Sequence, residues 1–266
     1  MLKTLIKSYL PLPILDRAVG RKHRIFALGP PKSGTTSIAG IFSGHCRVDH
    51  EPHRPETVHG MFNHFNGLAS DEDLQEKYRA RDRQLLLDVE SNCFLAYRPD
   101  LLRSTFPNAQ FIVTVRHPLQ WLDSILDNNI NFPRDKTPTM RKWHSVLFHT
   151  NNTSRSSHCN FLIEKGLYPV DCYLAYWART YDRCIRSLSG AQRLLIGTNR
   201  ISTSTEDIGN FVGMDLTKAD TNTSHKNKTT AKHGILKQLD ASYVKDSLQE
   251  YCQPVISEFG LTELWD

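Results

Sequence analysis

Residues 24–42 read RIFALGPPKSGTTSIAGIF. The apolar run Ile25–Leu28 has the length and composition of a buried strand. A loop of Gly, Pro, Lys, Ser and Thr follows it, and then a run of small and apolar residues suited to a helix. Strand, loop and helix in that order build an anion cradle, because loop N–H groups and the positive end of a helix converge on one point. Lys32 adds a point charge. Ser33, Thr35, Thr36 and Ser37 add hydroxyl donors.

The loop keeps the glycine spacing of a Walker A motif in Gly29 and Gly34 but puts Thr35 where that motif has its lysine. Lys32 stands two positions ahead of the second glycine instead. The pair that holds a terminal phosphate and Mg²⁺ is thereby altered. The chemistry expected is a nucleotide phosphate held rather than hydrolysed.

Alternation of apolar runs and helical patterns extends from this segment in both directions. Val48–His53 reads as a strand end entering a loop that runs to Asn66 and is rich in His, Phe and Pro. Asp71–Arg83 reads as a charged helix, Leu85–Val89 as a strand, and Pro99–Phe106 as a short helix. Phe111–Val115 (FIVTV) is the clearest buried parallel strand. A helix over Pro118–Leu126 follows, then a polar insertion or lid over Asn128–Ser157. Tyr168–Ser189 has the pattern of a long amphipathic helix, Leu194–Gly197 that of a strand, and Thr205–Val212 that of a helix closing on Gly213. Residues 221–230 (TNTSHKNKTT) are polar and loop-like, and Ile235–Phe259 is helical. The pattern predicts an α/β fold: a parallel sheet with helices on both faces, with loop and helical insertions shaping a second binding site.

The chain has 266 residues and a net charge of +5. This length suits a single α/β domain over residues 24–266, preceded by a basic, apolar arm over residues 1–23. Pro11 and Pro13 break any long helix in the arm, which is expected to pack on the domain or to touch a membrane surface peripherally. Mild positive charge fits anionic ligands without a basic run that would call for nucleic acid. Six cysteines are scattered without metal-ligand spacing, so no zinc site is expected. No signal peptide or membrane-spanning run is read, and a cytoplasmic protein with reduced thiols is the expectation.

A second anion site is legible further on. Strand 111–115 ends in Arg116-His117-Pro118, and Ser124 stands eight residues after Arg116. An arginine at a strand's carboxyl end faces the crevice where open α/β sheets bind ligands. Pro-x-Ser-Gly-Thr-Thr early in the chain, then FPNAQFIVTVRHPLQWLDSIL at 106–126, resembles the P-loop sulfotransferase family, nearer its glycan and bacterial-type members than its phenol and steroid branch.

The resemblance implies that the first loop, Lys32, Ser33, Gly34, Thr35, Thr36 and Ser37, holds the 5′-phosphosulfate of 3′-phosphoadenosine 5′-phosphosulfate (PAPS). Arg116 and Ser124 would hold its 3′-phosphate. His225–Thr229 is similar to a late loop closing on that phosphate in the carbohydrate branch, with Lys228 as the matching residue. No metal is implied.

The general base of the glycan branch is a Glu after the first helix. Glu51 matches that position best, with His53 and Glu56 next in line. Glu90, at the end of LLLDVE, matches another segment facing the acceptor. Lys32 would stabilise charge on the leaving oxygen, with Ser33 moderating it. Residues 50–65 and 128–158 are rich in His, Asn, Arg and aromatics, which suits a carbohydrate or other polar hydroxylated acceptor. Two other readings remain open: a P-loop kinase or NTPase, with Asp88 imitating a Walker B acid, or a nucleotide-binding module without turnover.

Overall fold

A computed structural model describes residues 10–132, 138–148, 157–219 and 231–265. Five strands, β1 (Ile25–Leu28), β2 (Val48–His50), β3 (Val89–Ser91), β4 (Gln110–Val115) and β5 (Arg193–Gly197), form one sheet in the order β2-β3-β1-β4-β5. Every pairing is parallel. The fold is therefore the expected α/β class. Alternate residues of β1 and β4 enter two cores: Phe26, Leu28, Phe111 and Val113 on one face, Ile25, Ala27 and Ile112 on the other. Burial on both faces explains why these strands read as continuous apolar runs rather than alternating ones.

Twelve helices are described around the sheet: α1 (Leu12–Ala18), α2 (Thr35–Phe42), α3 (Arg54–Phe65), α4 (Asp71–Leu85), α5 (Pro99–Thr105), α6 (Pro118–Asn131), α7 (Pro138–Leu147), α8 (Ser157–Glu164), α9 (Val170–Ser187), α10 (Thr205–Val212), α11 (Ala241–Ser247) and α12 (Gln253–Phe259). Helix α2 packs Ile38, Ile41 and Phe42 on one face of the sheet. Helix α9 buries Trp177, Tyr181 and Cys184 on the other.

Strand β1 lies between β3 and β4, so the chain leaves it in one direction and later crosses back to the other side. That reversal opens a crevice at the carboxyl ends of β1 and β4. Register pairs Leu28 with Val113, which sets the loop after β1 beside Arg116.

Three elements differ from the sequence expectation. Residues 54–65 are a helix, not a loop. His53 enters it with a left-handed φ of 50° and Pro55 sits in its first turn. Its His and Pro content hides an apolar face of Val58, Met61, Phe62 and Phe65, spaced at three, four and seven residues. The strand expected at Leu85–Val89 is displaced to Val89–Ser91. A capping box at Ser70 starts α4, the helix runs through Leu85, and Leu86 closes it with φ 51°. Helix α6 continues past Leu126 to Asn131, because Asn129 is buried and donates to the Tyr173 hydroxyl at 2.9 Å. Part of the expected 128–157 lid is therefore helical, in α6 and α7; residues 133–137 and 149–156 lie outside the described residues.

The end of the arm packs through Leu15. Arg21 and Arg24 fork onto Asp82 at 2.7 and 3.0 Å, tying this segment to α4. Among the described residues no helix is long and apolar enough to cross a membrane. The described cysteines form no disulfide.

Candidate active site

Backbone geometry decides the first cradle. Gly29 has φ 150°, and a Cβ there would lie 2.5 Å from Ser33 Oγ, 2.6 Å from Thr114 Oγ1 and 2.9 Å from the Thr114 carbonyl. Gly34 has φ 109°, and its Cβ would meet Ile201 Cδ1 at 2.5 Å. Only glycine fits at either place. Between them Lys32 adopts a left-handed φ of 68°, the kind of backbone outlier that collects at ligand-binding loops. Helix α2 opens at Gly34 without a side-chain cap, directing its positive end at the crevice.

The loop members diverge in direction. Ser33 is fully buried, and its hydroxyl pairs with Thr114 Oγ1 at 2.8 Å. It anchors the loop to β4. Thr35 Oγ1 and Thr36 Oγ1 lie 3.3 and 3.1 Å from His50 Nε2. Burial foremost pushes the His50 pKa down, so its imidazole is neutral near pH 7 and serves these hydroxyls as a hydrogen-bond partner.

The two candidate anion sites meet physically. Arg116 Nη1 donates to the Lys32 carbonyl at 2.8 Å. Its own carbonyl accepts from Trp177 Nε1 at 2.9 Å, and its N–H donates to the Tyr181 hydroxyl at 3.2 Å. Trp121 Nε1, from α6, holds the Pro31 carbonyl at 2.7 Å. The Lys32 amine is lowered from its ordinary pKa by burial, then by Arg116 and Lys232. Burial lowers the Arg116 guanidinium as well. Lys32 and Arg116 thus bring two cations to one crevice, a setting that favours an anion, while Lys232 pairs with Asp123 and Asp127 at 3.2 and 3.3 Å. Ser124 is buried on α6, one turn beyond Trp121. Lys228 lies outside the described residues.

The two candidate carboxylates occupy different settings. Glu51 follows β2 with φ 51°, and its N–H donates to the Ser91 carbonyl at 2.9 Å. Its Oε1 accepts from Cys93 Sγ at 2.9 Å and lies 3.9 Å from His50 Nε2, while Arg54 stands 3.7 Å from Oε2. Glu51 therefore lies close to His50, the partner of the first cradle's hydroxyls, without a hydrogen bond between them. Glu90 is gripped instead: Arg81 Nε reaches both oxygens at 3.1 Å, Arg81 Nη2 lies at 2.7 Å and Asn92 Nδ2 at 2.9 Å. Arg81 also donates to the Pro52 carbonyl at 2.5 Å, so this ion pair fixes the backbone next to Glu51. Of the other acids, Asp88 pairs with Arg47 at 2.9 Å at the amino end of β3. Parallel register places it at the opposite end of the sheet from the loop.

A cavity of about 240 Å³ opens from the loop at Pro31. Phe94 and Tyr97 from the turn after β3, Trp143 and Leu147 from α7, and Tyr176 and Arg179 from α9 are among its walls. Cys93, the Glu51 partner, also lines it, so the candidate base stands one side chain behind the cavity wall. Sequence reading found the flanking segments 50–65 and 128–158 but missed the turn after β3 and the α9 face. The α9 signal was present: Tyr176, Thr180 and Arg183 recur at four and three residues on one helical stripe. At the chain's end, Trp265 packs against His117 at 4.9 Å and Trp177 at 6.5 Å. Among the described residues no cluster suits a metal ion.

No protein-family model matches the chain and no curated protein matches it. Among solved structures it is similar to a sulfotransferase from Alicyclobacillus acidocaldarius, with a TM-score of 0.52 at 13% identity over 91% of this chain and 96% of that one. It also aligns with the sulfotransferase domain of the curacin biosynthetic pathway, at TM-score 0.43 and 12% identity over 90% of this chain and 97% of that one. The corresponding domain of the Synechococcus PCC 7002 olefin synthase aligns at TM-score 0.45 and 11% identity, over 92% and 95%. The first comparison establishes a sulfotransferase-like fold; the other two are too distant to add to it.

Proposed function

We propose that this chain transfers a sulfuryl group from PAPS to a hydroxyl or amine of a small acceptor. The observation that carries the reading is the 2.8 Å bond from Arg116 to the Lys32 carbonyl. It joins two cationic cradles at the switch point of a sulfotransferase-like sheet, as a nucleotide phosphorylated at both ends requires. The residues fit such a ligand. Gly29 and Gly34 hold the loop in a tight, positive-φ path that no Cβ would allow, and Lys32 and Arg116 bring two cationic side chains to the same loop.

PAPS when bound would supply the sulfuryl group: the acceptor atom bonds to sulfur, the bond from sulfur to the bridging phosphate oxygen breaks, and adenosine 3′,5′-bisphosphate leaves. Lys32 and the N-terminus of α2 stabilise negative charge at the first cradle. Thr35, Thr36 and Ser37 orient the phosphate end, and Ser33 keeps the loop in shape through Thr114. Arg116 and Ser124 bind the 3′-phosphate, with Lys228 assigned to the same phosphate. Glu51 takes the acceptor proton, and Glu90 with Arg81 holds the backbone that carries Glu51. The displaced lysine and the remote Asp88 leave no Walker pair for a kinase.

Adenosine 3′,5′-bisphosphate should raise the melting temperature in the presence of a metal chelator. No shift at millimolar ligand would remove the cofactor assignment.

A further inference from the structure

The cavity beside Pro31 carries its own chemical signature. Its walls are mostly aromatic and aliphatic, yet α9 contributes two guanidinium groups, Arg179 and Arg183, one helical turn apart. Arg179 is half-buried, and its Nη2 donates to the Leu147 carbonyl at 2.8 Å, which fixes the side chain against the wall. Arg183 is exposed at the mouth. Among the described residues no carboxylate forms an ion pair with either. Burial, and next Arg183, depress the Arg179 guanidinium. The third observation is Trp143: the residue is 1% exposed, it lines the cavity, and its Nε1 has no hydrogen-bond partner among the described residues.

A buried N–H donor and a half-buried cation in an apolar wall are both costly unless a ligand answers them. A neutral sugar offers hydroxyls but no charge to match Arg179. An amine would meet two like charges. A flat apolar body suits the aromatic walls, and a carboxylate accepts from both donor types at once.

We propose that the acceptor is a hydroxyl-bearing molecule with an apolar, ring-sized body and a carboxylate, seated between α7 and α9 with its carboxylate on Arg179. This rests on the sulfuryl-transfer reading above and narrows its acceptor. Arg179 sets specificity from inside the cavity, and Arg183 draws the anion in from the mouth.

The test uses the full chain saturated with adenosine 3′,5′-bisphosphate. Four probes are titrated by calorimetry: 3-(4-hydroxyphenyl)propionate, 4-ethylphenol, tyramine and glucose. The acid should bind about tenfold or more tighter than 4-ethylphenol, and tyramine and glucose more weakly still. Arg179→Gln should cost the acid roughly tenfold to a hundredfold in affinity. Arg183→Gln, solvent-screened, should cost it no more than about fivefold. Unchanged 4-ethylphenol binding shows that each variant is folded.

Tightest binding by tyramine, 4-ethylphenol or glucose overturns the proposal. So does an acid affinity indifferent to Arg179→Gln. The same probes are then offered with PAPS. Arg179-dependent binding of the acid without sulfation of any probe would refute sulfuryl transfer but uphold the anion pocket. Sulfation of 4-ethylphenol or glucose in preference to the acid would do the reverse.

Discussion

Replacing Arg116 with alanine separates two jobs assigned to one guanidinium. Nη1 already donates to the Lys32 carbonyl at 2.8 Å, and the remaining donors are assigned to the 3′-phosphate. A hydrogen bond between charged groups contributes about 1.5–3 kcal/mol. Its loss should raise the Kd for adenosine 3′,5′-bisphosphate roughly tenfold to a hundredfold. At a ligand concentration of about 100 times the wild-type Kd, the native protein gains ~2.7 kcal/mol of stability and the variant only ~0.4–1.4 kcal/mol. Taking about 2–4 °C per kcal/mol for a chain of this size, a wild-type shift of about 5–11 °C falls to about 1–6 °C. Differential scanning fluorimetry reads that difference directly. Adenosine 5′-monophosphate, which lacks the 3′-phosphate, is the control, and its affinity should change little. Equal losses for both nucleotides would refute the assignment, because Arg116 would then act only by clipping the loop through Lys32.

Glu51→Gln should lower kcat by about 10²–10⁴ while leaving the bisphosphate Kd unchanged; near-native turnover in stopped assays would exclude Glu51 as the base. Gly29→Ala should destabilise the fold by about 2–4 kcal/mol in urea titrations, since the new methyl meets both Ser33 Oγ and the Thr114 backbone at a strained φ; a loss below about 0.5 kcal/mol would mean that the loop is not held this tightly. The folded-state pKa of His50 lies below its ordinary 6.5, so its contribution to stability is intact above that value and declines as pH falls from 6.5 toward the folded pKa. His50→Gln should therefore flatten the fall in Tm between about pH 7 and 5, and an unchanged slope would locate the acid sensitivity elsewhere.

The sheet was legible where physics leaves few options. Ile25–Leu28 and Phe111–Val115 are buried on both faces, so their sequences are apolar throughout and their ends are marked by Gly29 and Arg116. The first loop was legible because backbone geometry demands glycine at two fixed positions. Helix α3 was not, because its buried stripe is thin: Pro55 and His59 are exposed, and His64 turns inward only through its partners Asp71 and Tyr97. The fate of Glu90 was also hidden. Nothing local announces that Arg81, nine residues earlier, folds back across it. The pocket depended on tertiary neighbours: Tyr97, Trp143 and Arg179 come from three elements, and each is ordinary within its own segment.

The four tryptophans of the chain give the site an optical property. Trp121 and Trp177 donate to carbonyls of the two candidate cradles, Trp143 lines the cavity proposed for the acceptor, and Trp265 meets His117 edge-on beside them. Every indole in the chain therefore lies in or next to the candidate site. Intrinsic fluorescence becomes a label-free signal of the site alone. Trp121→Phe and Trp143→Phe would split that emission into a nucleotide channel and an acceptor channel, allowing the order in which the two ligands bind to be followed in a stopped-flow trace.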